Sequence, residues 1–248
     1  MDEKITLLFD KIKAAKHCVA LSGAGVSTLS GIRDFRGKNG LYKEFDASKM
    51  FDIDYFEVDP TYYYKTAGEF IYNADEYPAS IVHTCLARLE AKGWLKAVIT
   101  QNIDFLHQKG GSKRVIEVHG SPATHYCLHC AGVRVPFEEA AAIVKKGGFP
   151  KCPKCGKILK PAITFFGEML PAQAMREANE EASSCDLMLV LGTSLTVHPA
   201  AGIPETALRS GAELVIINNM PTPLDRNAVL KFDELAPVCE ALQGMSKT

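Results

Sequence analysis

Cys18-Val19-Ala20-Leu21-Ser22-Gly23-Ala24-Gly25 decides the fold of this chain. An unbroken apolar run enters a serine and then a glycine turn. Such a run suits a strand buried on both faces, and glycines placed directly after it let backbone approach a ligand closely. The first strand and turn of a nucleotide-binding α/β sheet read this way. The fingerprint is incomplete, because Thr28 stands where G-x-G-x-x-G needs its third glycine. No acidic residue closes a recognisable second strand about 20 residues later.

Outward from this stretch the pattern repeats. Residues 95–100, 115–118, 187–191 and 214–217 are further apolar runs that read as buried strands. Residues 81–92, 172–182 and 200–209 carry helical patterns between them, and Ile5, Leu8, Phe9 and Ile12 give residues 1–16 an amphipathic helix. The alternation predicts a doubly wound, Rossmann-like parallel α/β sheet. Two stretches break it. Residues 37–75 are rich in aromatics and poor in strand signal, and residues 124–157 carry two C-x-x-C pairs and a short helix over 138–146. The expected organisation is a Rossmann-like nucleotide-binding domain built from 1–36, 76–123 and 158–248. A helical insertion over 37–75 and a zinc-ribbon module over 124–157 form a smaller inserted domain.

Cys127, Cys130, Cys152 and Cys155 fit one tetrahedral Zn²⁺ held by four thiolates, a closed structural site. Cys18, Cys85, Cys185 and Cys239 are scattered and read as small core residues. The 248 residues are 47% hydrophobic and 23% charged with a net charge of −1, so burying a core is no difficulty and no global field draws the chain to nucleic acid. Lys145, Lys146, Lys151, Lys154 and Lys157 read as a solvated face. No apolar run is long enough for a membrane span, and the N-terminus is not a signal peptide. A cytoplasmic protein with reduced thiols, acting as a monomer, is expected.

After the glycine turn the chain runs on as Ser27-Thr28-Leu29-Ser30-Gly31-Ile32-Arg33-Asp34-Phe35-Arg36-Gly37. A surface loop held by side-chain turns is one reading. A loop folding over bound nucleotide, with Arg36 near phosphate and Phe35 shielding the reacting ring, is the favoured one, because it begins where a phosphate would sit. Asn102-Ile103-Asp104 has two readings of equal weight: an N-cap for the following helix, or polar contacts to a ligand.

Together these blocks resemble the sirtuins, the NAD-dependent protein-lysine deacylases. Gly23-Ala24-Gly25-Val26-Ser27 with Gly31-Ile32-Arg33-Asp34-Phe35-Arg36 is similar to the family's first signature. Thr100-Gln101-Asn102-Ile103-Asp104 resembles the second, and Glu117-Val118-His119-Gly120 the third. The four cysteines, Phe165-Phe166-Gly167-Glu168, Gly192-Thr193-Ser194-Leu195 and Ile217-Asn218 follow in the family's order. Arg33 departs from the family's usual proline, and Lys160-Pro161-Ala162-Ile163-Thr164 from its usual Arg-Pro and terminal valine. Ala67 and Phe70 stand about where acid-selective members carry a tyrosine and an arginine, so small or apolar acyl groups are expected over acidic ones.

The resemblance implies that NAD is a co-substrate, split at its nicotinamide–ribose bond while the acyl group of a modified lysine passes to ADP-ribose. It implies His119 as general base and Asn102 as its catalytic partner. The implied cofactor contacts are Gly23, Ala24, Gly25, Thr28, Asp34, Phe35, Arg36, Gln101, Asn102, Ile103, Asp104, His119, Gly192, Thr193, Ser194, Asn218, Asn219 and Ala236. The acetylated-lysine peptide is expected to add as a strand along Thr164, Phe165, Phe166, Gly167 and Glu168, between the two domains. An NAD-dependent oxidoreductase is the rival reading, and it leaves the zinc module without purpose.

Overall fold

The computed structural model describes residues 2–34, 40, 44, 46–74 and 76–246. The chain divides into two compact units, one of residues 1–32, 78–118 and 172–248, the other of residues 33–77 and 119–171.

The larger unit is built on six parallel strands: β1 (Cys18–Ser22), β2 (Leu95–Thr100), β3 (Val115–Glu117), and, after the chain returns from the smaller unit, β7 (Leu187–Leu191), β8 (Glu213–Ile217) and β9 (Leu230–Phe232). Their order is β3-β2-β1-β7-β8-β9, with every neighbouring pair parallel. The sheet therefore winds outward in both directions from β1, the doubly wound order, and the predicted fold class stands. Alternate residues of the strands face opposite layers. Cys18 and Ala20, Leu189 and Leu191, and Val215 and Ile217 share a core with α1 (Asp2–Ala14), α5 (Ile81–Ala91) and α10 (Leu235–Met245). The other face meets α8 (Ala172–Ser184) and α9 (Ile203–Arg209). The expected helix over 200–209 is in fact a 3₁₀ turn, Ala200–Gly202, leading into α9. Pro204 explains the break, since proline suits a helix's first turn.

The smaller unit holds α2 (Ala47–Met50), α3 (Ile53–Val58) and α4 (Pro60–Tyr72), with α7 (Phe137–Val144) and an antiparallel sheet of β4 (Gly120–Tyr126), β5 (Arg134–Pro136) and β6 (Lys160–Ile163) in the order β5-β4-β6. Aromatic side chains fill it. Phe56 lies edge-on to Phe165 at 5.4 Å, Tyr63 to Tyr64 at 4.9 Å, and Tyr72 stacks on Phe137 at 5.7 Å. Such ring pairs stabilise beyond the area they bury. No helix among the described residues is long and apolar enough to cross a membrane.

At the carboxyl end of the large sheet two glycine turns meet. Gly23 N–H donates to Leu191 O at 3.0 Å and Gly25 N–H to Gly192 O at 2.9 Å. A Cβ on Gly25 would lie 2.8 Å from Gly192 Cα, and one on Gly192, whose φ is +59°, would lie 2.6 Å from Val26 N. Neither turn can carry a side chain at these points without moving the other. Gly25→Ala is accordingly expected to lower stability by about 1–3 kcal/mol, the range for an overpacked site. Urea unfolding measures it; an unchanged midpoint would show that the turns separate freely.

Candidate functional site

The carboxyl ends of β1, β2 and β7 carry the predicted nucleotide residues, and hydrogen bonds tie most of them together. Gln101 Nε2 donates to Thr193 Oγ1 at 3.1 Å. Asn102, buried, donates through Nδ2 to Gly23 O at 3.2 Å and to Ser27 Oγ at 3.1 Å. Gly23 O can only accept, so the amide nitrogen is fixed on that side. Ser27 Oγ in turn donates to Asp104 Oδ2 at 2.6 Å. One directed chain thus runs Asn102 to Ser27 to Asp104. It spends both amide protons of Asn102 and leaves that residue's carbonyl oxygen as acceptor.

Asp104 Oδ1 also accepts from Leu106 N at 2.9 Å, holding the first turn of α6 (Leu106–Lys109). The capping reading of Asn102-Ile103-Asp104 is therefore realised by Asp104. Burial pushes its carboxyl above the usual carboxylate range, against the hydrogen bonds from Ser27 and Leu106. Ser27 joins the two predicted motifs, yet the sequence assigns it no role. Its hydroxyl lies two residues past the glycine turn, the one available signal.

The remaining predicted contacts of this unit are more dispersed. Ala24 opens the 3₁₀ turn Ala24–Ser30, and Thr28 bonds back to Gly25 O at 2.8 Å. Ile103 is half-buried. Thr193 is buried, while Ser194 Oγ pairs with Thr196 Oγ1 at 2.9 Å. Asn218 follows β8, buried, with Nδ2 on Met220 O at 2.8 Å. Asn219 beside it is exposed, and Ala236 lies half-buried in the first turn of α10.

His119 and the five predicted substrate residues belong to the smaller unit, as does Asp34, which is half-buried. Phe35 and Arg36 lie outside the described residues, as does the side chain of Phe70. His119 occupies a turn between β3 and β4, and its carbonyl accepts from Thr164 N at 2.8 Å. Gly120 makes that turn possible: its φ is +75°, and a Cβ would lie 2.4 Å from Ala162 O. Phe166 has both backbone groups engaged, its N–H on Phe51 O at 2.6 Å and its C=O accepting from Ile53 N at 3.1 Å. Glu168 N–H donates to Phe165 O at 3.0 Å.

Lys160 organises this segment from inside. It is fully buried, with Nζ 2.8 Å from Glu168 Oε2, donating to Ile163 O at 2.7 Å, and 4.1 Å from the Phe165 ring centroid. Burial pushes its amine below the usual lysine range, and the Glu168 carboxylate opposes that shift. The same carboxylate accepts from Phe165 N at 2.7 Å and Tyr126 Oη at 3.3 Å. Glu168 therefore shapes its own loop with its side chain.

The four predicted cysteines come together. Their sulfurs all lie within 4.8 Å of one another, with Cys127 and Cys155 at 3.6 Å, and no disulfide joins them. Zn–S bonds of about 2.3 Å at tetrahedral angles place sulfurs roughly 3.8 Å apart, so the set fits Zn²⁺. His129 N–H donates to Cys127 Sγ at 3.4 Å, a contact that suits a thiolate. His125 instead bonds Tyr72 Oη through Nε2 at 2.6 Å.

The sequence profile described as the Sir2 family matches residues 23–199. The chain belongs to the Sir2 family. It is 44% identical over 230 residues to a Thermotoga maritima protein named NAD-dependent protein deacetylase, covering 93% of each chain. Among solved structures it resembles a Sir2 complex with p53 peptide and NAD⁺ at a TM-score of 0.87 and 40% identity, covering 98% of this chain and 97% of that one. A Sir2 variant with deacetylated p53 peptide and 3′-O-acetyl-ADP-ribose matches at 0.90 and 42% identity, covering 98% and 97%.

Two expectations follow from the site. In this Sir2 chain, Cys127→Ser should lose zinc and melt roughly 10 °C lower, because metal binding and folding are linked. Metal analysis and thermal unfolding measure both, and a metal-free variant of unchanged melting point would refute a structural zinc. Second, burial lowers the imidazoles of His83 and His107 from 6.5 to about 4 and about 3. The unfolded chain binds protons there from about pH 6.5 downward and the folded chain only near the lower values, so stability present at neutral pH is lost on acidification through that window. A tenfold difference in proton affinity between the two states is worth about 1.4 kcal/mol. Urea unfolding between those limits tests it, and a flat profile would contradict it.

Proposed function

We propose that this Sir2 protein is an NAD-dependent protein-lysine deacetylase that yields deacylated lysine, nicotinamide and O-acetyl-ADP-ribose. The observation that carries the reading is kinship along 93% of the chain with a relative named for that activity. NAD supplies an ADP-ribosyl group whose bond to nicotinamide breaks as the acyl oxygen of the modified lysine joins the sugar carbon.

The chain's own residues bind, orient and move protons around that exchange. The glycine turns at Gly23, Gly25 and Gly192 carry no side chains and so give the nucleotide close approach to backbone. Asn102 offers its carbonyl oxygen to a sugar hydroxyl from a side chain already held at both amide protons, so little ordering remains at the moment of reaction. Asp104 accepts from the nicotinamide amide. His119 takes the proton from a ribose hydroxyl that then attacks the acyl carbon, and water adds as the lysine amine leaves, so that the acetyl group stays on ADP-ribose. The peptide pairs along the 164–168 segment, and the groups committed by Phe166 to Phe51 and Ile53 leave that pairing to its neighbours. Zinc, on Cys127, Cys130, Cys152 and Cys155, stabilises the smaller unit. The protein acts as a monomer in the cytoplasm, on small apolar acyl groups.

Incubation with NAD and an acetyl-lysine peptide should give free lysine, nicotinamide and acetylated ADP-ribose by mass, faster than a succinyl-lysine peptide reacts. His119→Ala should reduce turnover at least about 100-fold, the scale of a positioned general base, while zinc content and melting temperature stay unchanged. Acetate release without NAD consumption, or a fully active His119→Ala protein, would overturn the reading.

A further inference from the structure

Behind the nucleotide loops, inside the larger unit, lies a line of buried polar groups that no step above uses. It begins at Ser80, the residue before α5. Ser80 N–H donates to His83 Nδ1 at 3.0 Å, and Ser80 Oγ donates to Val26 O, within the 3₁₀ turn, at 3.0 Å. It ends at Ser22, the last residue of β1, whose hydroxyl donates to Thr100 Oγ1 at 2.9 Å and contacts His107 Nε2 at 2.7 Å. His83 and His107 are both fully buried, with ring centroids 4.6 Å apart.

These bonds fix the protons on both rings. A backbone N–H has only a proton to give, so His83 Nδ1 is bare and His83 carries its hydrogen on Nε2. The Ser22 proton is committed to Thr100, so His107 Nε2 must donate, and His107 Nδ1 is bare. The two ring atoms left over are His83 Nε2–H and His107 Nδ1. Neither has a hydrogen-bond partner among the described residues, the other ring included. The two rings pack edge to face, so the two ends of the line meet through ring contact.

The line also has a mechanical consequence. Ser22 gathers both ends of the loop that carries Asn102. Thr100 stands before that loop and accepts from Asn102 N–H at 3.1 Å, and His107 stands after it in α6. Val26 O, bonded by Ser80, ties the glycine turn's own continuation to the same line. We propose that His83 and His107 form a neutral packed couple, hydrogen on Nε2 in both, that positions the Asn102 loop against the glycine turn through Ser22 and Ser80. They are positioning residues, since neither touches the reacting atoms. This inference rests on the assignment of the 23–25 and 101–104 segments to NAD.

Two measurements test it, and the first needs no activity. Long-range ¹H–¹⁵N spectra of the full chain at neutral pH should show both imidazoles protonated on Nε2 and bare on Nδ1. An Nδ1–H tautomer or an imidazolium at either ring overturns the couple whether or not the protein uses NAD. The second is kinetic. His107→Phe should raise KM for NAD roughly threefold to tenfold, the worth of one buried hydrogen bond, and leave KM for the peptide within about twofold. His107→Gln, which keeps a donor for Ser22 Oγ, should recover most of that loss. A role in folding alone would lower the active fraction and move neither KM. Unchanged NAD kinetics in His107→Phe, or no difference between the Phe and Gln variants, would overturn the positioning role. If His107→Phe does not fold, the Gln variant and the spectra still decide.

Discussion

Two turns that touch through bare backbone govern the larger unit. Gly25 and Gly192 face each other at the carboxyl ends of β1 and β7, where the winding of the sheet reverses. Parallel strands on either side of that point send their crossovers in opposite directions, so a gap opens there in any doubly wound sheet. Here the gap is narrowed until no Cβ fits. The N–H groups of Gly23, Gly25 and Gly192 are spent on Leu191 O, Gly192 O and Ile217 O, so the two turns lock each other through backbone alone. Everything else at this end of the sheet, from the Gln101–Thr193 bond to the Asn102 amide on Gly23 O, is built around a backbone that cannot give way.

The smaller unit solves a different problem. Two of its three strands, β5 and β6, are short and its sheet is small, so burial of strand residues alone gives little stability. Aromatic rings from α3 and α4 and from Phe165 supply the bulk, and four clustered cysteines stand ready to hold a metal. Lys160 is the unusual element. A buried ammonium is expensive unless matched, and here it meets a carboxylate, two backbone carbonyls (Pro161 and Ile163) and an aromatic face. Such a group stabilises one arrangement of its partners far better than any neighbouring one. The 160–168 segment therefore has a defined shape through contacts within its own unit.

Much of the fold is legible because burial on both faces writes itself as unbroken apolar runs. Residues 187–191 and 95–100 could hardly be anything else. β9 is not, since Leu230-Lys231-Phe232 is three residues long with a polar one in the middle, and nothing local marks it as a sixth strand. α10 escapes for a similar reason: Pro237 and Gly244 obscure its apolar stripe, although Val238 and Leu242 pack into the core. At the site, cysteine spacing carries the metal cluster entirely, because spacing is a sequence property. The roles of Ser27, His83 and His107 are not. Each depends on partners more than twenty positions away or on which ring atom holds a proton, and His83 on its own reads as an ordinary histidine in a helix's first turn.

Where polar groups are buried in the larger unit also carries meaning. Ser22 and Thr100 end their strands, Asn102, Thr193 and Asn218 follow within two residues, and all five are buried. The strand interiors beneath them are apolar from Val19 to Leu21 and from Met188 to Val190. Buried polar atoms destabilise unless matched, so their concentration at one edge needs a cause. They match each other in directed series, each hydroxyl or amide already oriented by the next. A surface whose dipoles are set before a ligand arrives loses little on binding it and stabilises charge that develops later. The same desolvation that keeps His83 and His107 neutral thus belongs to the site's design: a proton on His83 Nδ1 would break the hydrogen bond it accepts from Ser80 N–H at the start of α5.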